Sequence, residues 1–370
     1  MKLTIKRAPF EKLLETVFEA IPIQTAEADF KNFLLTVTDS GITVLGSDGE
    51  LTIQGVINVG DPDNPIVNSD PGSVQVPAKY FLDIMKGLQS EVVTIELVDA
   101  SVLCVSDEKS QFQLKISKAE EYPNVDIASD STEIITLKSA DFLSLYNSTA
   151  FAVATRGPKQ LFTGININAK EGRITFVATD SFRLARKYVV IEGDHHVSIT
   201  VPSKALGVVS HMVGYEYMQM VVDTTKVLFK VGSFVIASKL YNGEFPNVDR
   251  IIPTGTNYLL TVNSKDFIAS ISRITIVGNT KILVNASPEQ TEISSKDVNV
   301  GSSKEVIHDA KFEGDLFSII FNATFVTDAI KALNSERVTL AFCAENRAFI
   351  VKSDDETVTQ VITPIRSLGD

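Results

Sequence analysis

Three groups of residues in this chain have types and spacing that permit chemistry. Asp194-His195-His196 sets a carboxylate beside two imidazoles, the materials of a metal site or a general base. Neighbouring residues of an extended segment point to opposite faces, so the two rings are poorly placed to share one ion. A polar turn between strands is the expected setting. Thr179-Asp180 with Arg183 offers a small acid–base pair. A hydrolase built on this chain would have to use Asp180 or the two histidines. The thiols Cys104 and Cys343 have no CxxC spacing and no histidine nearby in sequence, which argues against a disulfide framework or a zinc site. Neither GxGxxG nor GxxxxGK[ST] occurs, so the usual phosphate-cradling loops are missing. No catalytic residue, no cofactor and no metal are expected, and hence no enzyme.

Composition sets the frame for any other role. The chain has 370 residues, of which 44% are hydrophobic and 22% charged. That is ordinary folded composition, with room for two or three domains. The N-terminus, Met1-Lys2-Leu3-Thr4-Ile5-Lys6-Arg7, alternates polar and apolar residues and lacks a signal-type apolar run. No stretch approaches a membrane span. A cytoplasmic protein without a membrane partner is the expectation. The net charge of −12 counts against simple duplex binding, which draws affinity from lysine and arginine contacts to phosphate. It leaves open a chain whose few cations are gathered on one surface.

The elements that would position such a surface come from repetition. Val76-Pro77-Ala78-Lys79 opens a segment in which Phe81, Ile84, Met85 and Leu88 follow the i, i+3, i+4, i+7 pattern of a one-faced helix. Proline just inside the helix start suits it, because its missing N–H would be unpaired there anyway. The strand Val92–Leu97 follows. The pattern returns at Val201-Pro202-Ser203-Lys204, with Val209, Met212 and Val213 apolar, before Met220-Val221-Val222. It returns again at Phe321-Asn322-Ala323-Thr324, with Ala329, Ile330 and Leu333, before Val338–Phe342. A second marker, Tyr122-Pro123-Asn124-Val125, recurs as Phe245-Pro246-Asn247-Val248 and more faintly as Thr363-Pro364-Ile365-Arg366. A further helix opens each unit, carrying Phe10, Leu13, Leu14, Val17 and Phe18 in the first, Ala140–Tyr146 in the second and Lys265–Ile271 in the third. Alternating segments such as Gly41–Asp48 and Gly172–Asp180 lie between the helices as half-buried strands ended by turn residues. Three similar α+β domains follow, over residues 1–127, 128–253 and 254–370, each with two helices on antiparallel sheets. Repeated domains of this size suit an assembly with rotational pseudo-symmetry, such as a ring.

The repeat also aligns charge. Lys79, Lys204 and Thr324 correspond, as do Lys86, His211 and Lys331 seven residues later. Seven residues is two helical turns, so both positions share a face roughly opposite the apolar one. Lys12, Arg156, Lys159 and Arg273 lie on or just past the opening helices. An acidic exterior around a basic inner face reconciles the negative total with a polyanionic partner.

The repeat and its markers resemble the bacterial DNA polymerase III beta subunit family, the sliding clamps, over the whole chain. The resemblance rests on three stretches: Phe162-Thr163-Gly164-Ile165-Asn166 through Thr179-Asp180-Ser181-Phe182-Arg183-Leu184-Ala185, Asn242-Gly243-Glu244-Phe245-Pro246-Asn247-Val248-Asp249-Arg250-Ile251-Ile252-Pro253, and Pro364-Ile365-Arg366. Ser181 stands where the family usually has glycine, and the chain runs on past the usual end as Ser367-Leu368-Gly369-Asp370.

The resemblance implies a homodimeric ring of six domains around duplex DNA, without sequence readout. It implies a hydrophobic cleft for short peptides of the polymerase III alpha subunit, the clamp loader and other proteins with clamp-binding motifs. On the side of the second domain that cleft would use Phe162, Thr179, Phe182, Arg183 and Leu184, then Pro246, Arg250 and Ile251. From the third it would use Asn346, Ala348, Val361 and Ile362, then Thr363, Pro364, Ile365 and Arg366. The residues facing DNA would be Lys12, Lys79, Lys86, Arg156, Lys204, Arg273 and Lys331. Phe112 with Ile276-Val277 would make the dimer contact. The alternative is a non-enzymatic scaffold of the same fold that does not load onto DNA.

Overall fold

The computed structural model describes residues 1–61, 66–157, 159–212 and 214–366. Val213 and the Ser367–Asp370 extension lie outside the described residues. Six α-helices form among the described residues: α1 (Arg7–Phe18), α2 (Ala78–Gly87), α3 (Ser139–Thr149), α4 (Ser203–Ser210), α5 (Ser264–Ile274) and α6 (Ala323–Leu333). All strand pairs are antiparallel, as in Lys2–Lys6 against Val92–Asp99. Pro77 stands one residue earlier than the sequence suggested, at the N-cap of α2 with φ −57°. The helix still starts there because proline's fixed φ suits the entry.

The chain packs as two compact units. Unit one comprises Met1–Ser139 and Lys204–Leu240, and unit two Ala140–Ser203 and Tyr241–Asp370. The middle repeat therefore divides its strands between them.

Unit one holds a five-stranded and a nine-stranded sheet. The larger is continuous across repeats, because Phe234–Lys239 pairs with Leu51–Asn58, Phe234 facing Gly55 and Ser238 facing Leu51. The predicted face of α1 is the buried one: Phe10, Leu14 and Val17 are fully enclosed and Leu13 nearly so. Phe10 meets Phe81 of α2 edge to face, their centroids 6.1 Å apart. Gly55 allows α1 to approach this closely, since a Cβ there would lie 2.8 Å from Leu13 Cγ.

Unit two repeats the plan with a nine-stranded and a four-stranded sheet. Arg183–Val190 pairs with Val358–Ile362 and so joins middle-repeat strands to those of the third. The core gathers Phe267 and Ile271 of α5, Val326, Ala329 and Ile330 of α6, and the strand residues Phe321, Phe342, Phe349 and Ile362. Truncating one of these phenylalanines would cost about 3–5 kcal/mol. Both helices are locally specified. Asn263 caps α5 by accepting from the Lys265 and Asp266 amides, and Asn322 caps α6 by accepting from Thr324. Asn334 ends α6 in the left-handed conformation, φ 48°.

Candidate functional site

The candidate cleft lies on the sheet of unit two away from α6. Register determines its floor. Thr179 faces Leu184, Leu184 faces Val361, Val361 faces Ile350, and Ile350 faces Ala341. One row thus crosses five strands on a single face. Leu184 and Val361 are buried with Val177 and Val248, and Phe245, Ile252, Ala348 and Ile350 pack half-buried around them. Phe162 stands edge-on to Phe245 at 6.0 Å, with the Lys159 ammonium over its ring. Phe182 and Ile251 are 60% and 52% exposed. Pro246, Arg250 and Asn346 are exposed beside this region. An apolar anchor of about leucine size buried here would gain roughly 1.5–3 kcal/mol.

Two predicted cleft residues turn away. Side chains alternate along a strand, so Arg183 and Ile362, which face each other, occupy the opposite surface from Leu184 and Val361. Ile362 is 1% exposed and belongs to the α5/α6 core. Arg183 is clamped: Nε donates to Asp180 at 3.0 Å, Nη1 donates to Asp328 of α6 at 2.7 Å, and its guanidinium lies near the rings of Phe151 and Phe325. Its guanidinium therefore ties the turn to α6.

The turn that presents Phe182 is fixed by its own side chains. Asp180 Oδ1 accepts from the amides of Phe182 and Arg183, both at 2.9 Å. Thr179 Oγ1 donates to the Arg183 carbonyl at 2.7 Å and accepts from the Ser181 amide at 3.1 Å. Both Asp180 oxygens are engaged, so the acid–base pair considered from sequence works as a turn. Ser181 sits at φ 79°, a region where L side chains are strained. From the C-terminal side, Thr363 donates twice to the Phe182 carbonyl, from its amide and its hydroxyl, and the Ile365 amide donates to Ile320. Pro364 and Ile365 are half-buried and Arg366 is exposed.

The basic residues divide into two groups. Lys12, Lys79, Lys86, Arg156, Lys204, Arg273 and Lys331 are all exposed. Lys86 pairs with Glu15 at 2.7 Å, which raises the lysine's proton affinity. Lys204 pairs with Asp48 at 2.6 Å. Burial raises the Asp48 pKa, but hydrogen bonds from Lys204 and from the Leu51 and Glu50 amides outweigh it and hold the carboxyl below its usual range. Arg273 donates to Glu305 at 3.0 Å and lowers that carboxyl's pKa. His211 contacts Glu19 at 3.1 Å. These partners are remote in sequence, so the pairing was not visible there.

Elsewhere, His196 approaches Asp194 at 3.6 Å in an exposed turn, and His195 Nε2 lies 3.1 Å from the Glu192 carbonyl. Among the described residues, no three His, Cys, Asp or Glu side chains gather as metal ligands, and no helix is long and apolar enough to cross a membrane. Gln111–Lys115, carrying Phe112 at 39% exposure, forms one edge of the five-stranded sheet. Gly301–Val306 forms an edge of the four-stranded sheet. Ile276, just past α5, is 78% exposed, and Val277 is half-buried.

Three family models match in succession: the DNA polymerase III beta subunit N-terminal domain at residues 1–126, the central domain at 136–247 and the C-terminal domain at 249–366. The chain is similar to the beta sliding clamp of Bacillus subtilis, 28% identical across 99% of this chain and 100% of the relative. It is 29% identical to that of Staphylococcus aureus, with the same coverage. Among solved structures, the Bacillus subtilis DNA polymerase sliding clamp superposes with TM-score 0.94 at 26% identity, covering 99% of both chains. The Streptococcus pneumoniae DNA polymerase III beta chain superposes with TM-score 0.95 at 25% identity, covering 99% of this chain and 100% of that one.

Proposed function

The chain belongs to the DNA polymerase III beta subunit family, and from that premise we propose that it is a sliding clamp acting as a closed homodimeric ring on duplex DNA. Residues 1–127, 128–253 and 254–370 are its three domains, six to the ring. It does no chemistry of its own. It tethers polymerase and other replication proteins through the apolar cleft of unit two.

The observation that carries the reading is the cross-strand row Thr179–Leu184–Val361–Ile350. It sets Thr179 and Leu184 of one family-specific stretch on an apolar floor with Val361 and Ile350, and a second stretch supplies Phe245 and Val248. An extended peptide would lay alternate side chains there, which is the economy of strand-like recognition. The dimer is supported by the two edge strands and by exposed Phe112 and Ile276. A head-to-tail contact between different patches closes into a ring when its rotation allows. The basic helix residues supply weak phosphate contacts that position without reading sequence, and linkage to DNA is topological.

The test is retention on circular and linear DNA with the matching clamp loader and ATP, at moderately high salt. Retention on nicked circles and loss on linearisation is the expected result. A proven dimer that an active loader cannot leave on circles would instead make the chain a scaffold of clamp fold.

A further inference from the structure

Unit one contains the repeat-related counterpart of the cleft. The turn Ser47-Asp48-Gly49-Glu50-Leu51 makes the same bonds as Thr179–Arg183. Asp48 Oδ1 accepts from Glu50 and Leu51 amides at 2.9 and 2.7 Å, and the Gly49 amide donates to Ser47 Oγ at 3.0 Å. From it runs an equivalent row, Ser47–Thr52–Ala237–Leu228–Val221. Counting outward in register, Thr52 takes the place of Leu184, Ala237 of Val361, Leu228 of Ile350 and Lys226 of Ala348. From the second marker, Tyr122, Val125 and Ile127 take the places of Phe245, Val248 and Arg250. A hollow of about 510 Å³ bordered by Phe30, Gly49, Val125, Lys226 and Ala237 marks the spot.

The two copies differ in what covers them. In unit two the segment after Val248 turns into a short 3-10 helix, Asp249–Ile251, leaving Arg250 and Ile251 exposed. In unit one it stays extended, and its residues alternate between exposed and half-buried from Asn124 to Ser131. Ile127 packs against the row residues Val221, Leu228 and Ala237, and also against Phe30, Leu45 and Tyr122. The Lys226 ammonium donates to the Asp126 carboxylate and the Ala128 carbonyl. Ser129 donates to Asp223 at 3.0 Å.

We infer that unit one holds a second copy of the cleft occupied in cis by the segment Val125–Ser131, with Ile127 as its apolar anchor and Lys226 as its clasp. The inference rests on the cleft reading of unit two and deepens it. The resident segment, with apolar Val125 and Ile127 and then Ser129 and Ser131 at the half-buried positions and Asp126 and Asp130 among the exposed ones, indicates an extended peptide with an apolar anchor and flanking acids as the occupant chemistry of this sheet face. The occupied copy leaves the unit-two cleft as the one open to partners.

The test uses the full chain carrying both Ile127→Arg and Lys226→Ala, which places the unit-two residue types at both positions. A synthetic peptide of Pro123–Ser131 with a photo-reactive group at the Ile127 position is cross-linked to variant and wild type. Attachment to Lys226–Val231 or Phe234–Lys239 should rise about tenfold in the variant, as a locally opened site becomes available. A variant that melts cooperatively yet gains no attachment there overturns the inference. If the double variant does not fold, Lys226→Ala alone is followed by hydrogen exchange. About tenfold faster exchange is expected at Ala128, whose amide donates to the Asp126 carboxylate that Lys226 holds, and unchanged exchange there overturns the inference. A polymerase-tail peptide titrated into the wild type reads the unit-two cleft separately. Its failure would remove the cleft reading without touching the cross-linking result.

Discussion

Arg183 and Asp328 meet at 2.7 Å across 145 residues of sequence, and through that pair a hairpin turn is held against α6. The same guanidinium grips Asp180 at 3.0 Å, so one side chain keeps both the turn's shape and its seat. Arg183→Ala leaves two carboxylates without their cation in a part-buried setting and should destabilise the chain by about 2–3 kcal/mol. Urea unfolding measures this. A loss below about 0.5 kcal/mol would mean the pair behaves as a surface bridge.

Ser181→Gly should stabilise. The residue sits at φ 79°, and the matching turn of the first repeat has Gly49 there at φ 87°. Relief of left-handed strain, less the entropy lost by fixing glycine, leaves roughly 0.5–1 kcal/mol. The reciprocal Gly49→Ser should cost a similar amount. Thermal midpoints of the two variants moving in the same direction would refute the argument.

The tail ties the cleft from its C-terminal side. Truncating Ile365 and Arg366 to alanine should weaken a polymerase-tail peptide about tenfold, the value of roughly 1.4 kcal/mol. The dimer should persist, since neither residue belongs to the edge strands Gln111–Lys115 and Gly301–Val306 or to the Ile276-Val277 segment. Calorimetry with sedimentation checks both, and unchanged peptide affinity counts against the cleft.

Among the basic residues, Lys86 and Lys204 already hold carboxylates. Lys12→Gln, Lys79→Gln and Lys331→Gln should therefore each weaken equilibrium binding to a short duplex more than Lys86→Gln does. Each phosphate contact removed flattens the salt dependence by about one logarithmic unit. Equal effects from both groups would show that the pairs open on DNA.

Asp107 gives a pH signature. Its carboxylate is held by backbone hydrogen bonds from Lys109 and Ser110 and by further bonds to Ser90, and its pKa falls to about 2. The folded value is depressed, so its contribution is present above the ordinary carboxylate pKa of about 3.9 and is lost as pH falls towards about 2. Asp107→Ala should lower the melting temperature at pH 7, and the difference from wild type should shrink across that window. The turn carries the strand of Phe112, so loss of dimer at neutral pH should accompany it.

Much of the fold was legible because helical periodicity is local: Phe10, Leu13, Leu14 and Val17 state their buried face within a single 12-residue helix. Cleft orientation was less so. Sequence resemblance grouped Arg183 with Leu184 and Ile362 with Val361, whereas strand alternation sends one of each pair to the opposite surface. Val177, Val248 and Ile350 were missed as floor residues, though alternation from Leu184 and Val361 could have pointed to their strands. The acids that hold Lys204 and Arg273 belong to other elements, and only the folded chain brings them together.

The pairing of Leu51–Asn58 with Phe234–Lys239 also times the birth of the molecule. On the ribosome the earlier strand is made long before its neighbour exists. At roughly 5–20 residues per second the wait is on the order of ten seconds or more. Through that interval a nascent chain displays an unpartnered strand edge able to join a neighbour on the same message.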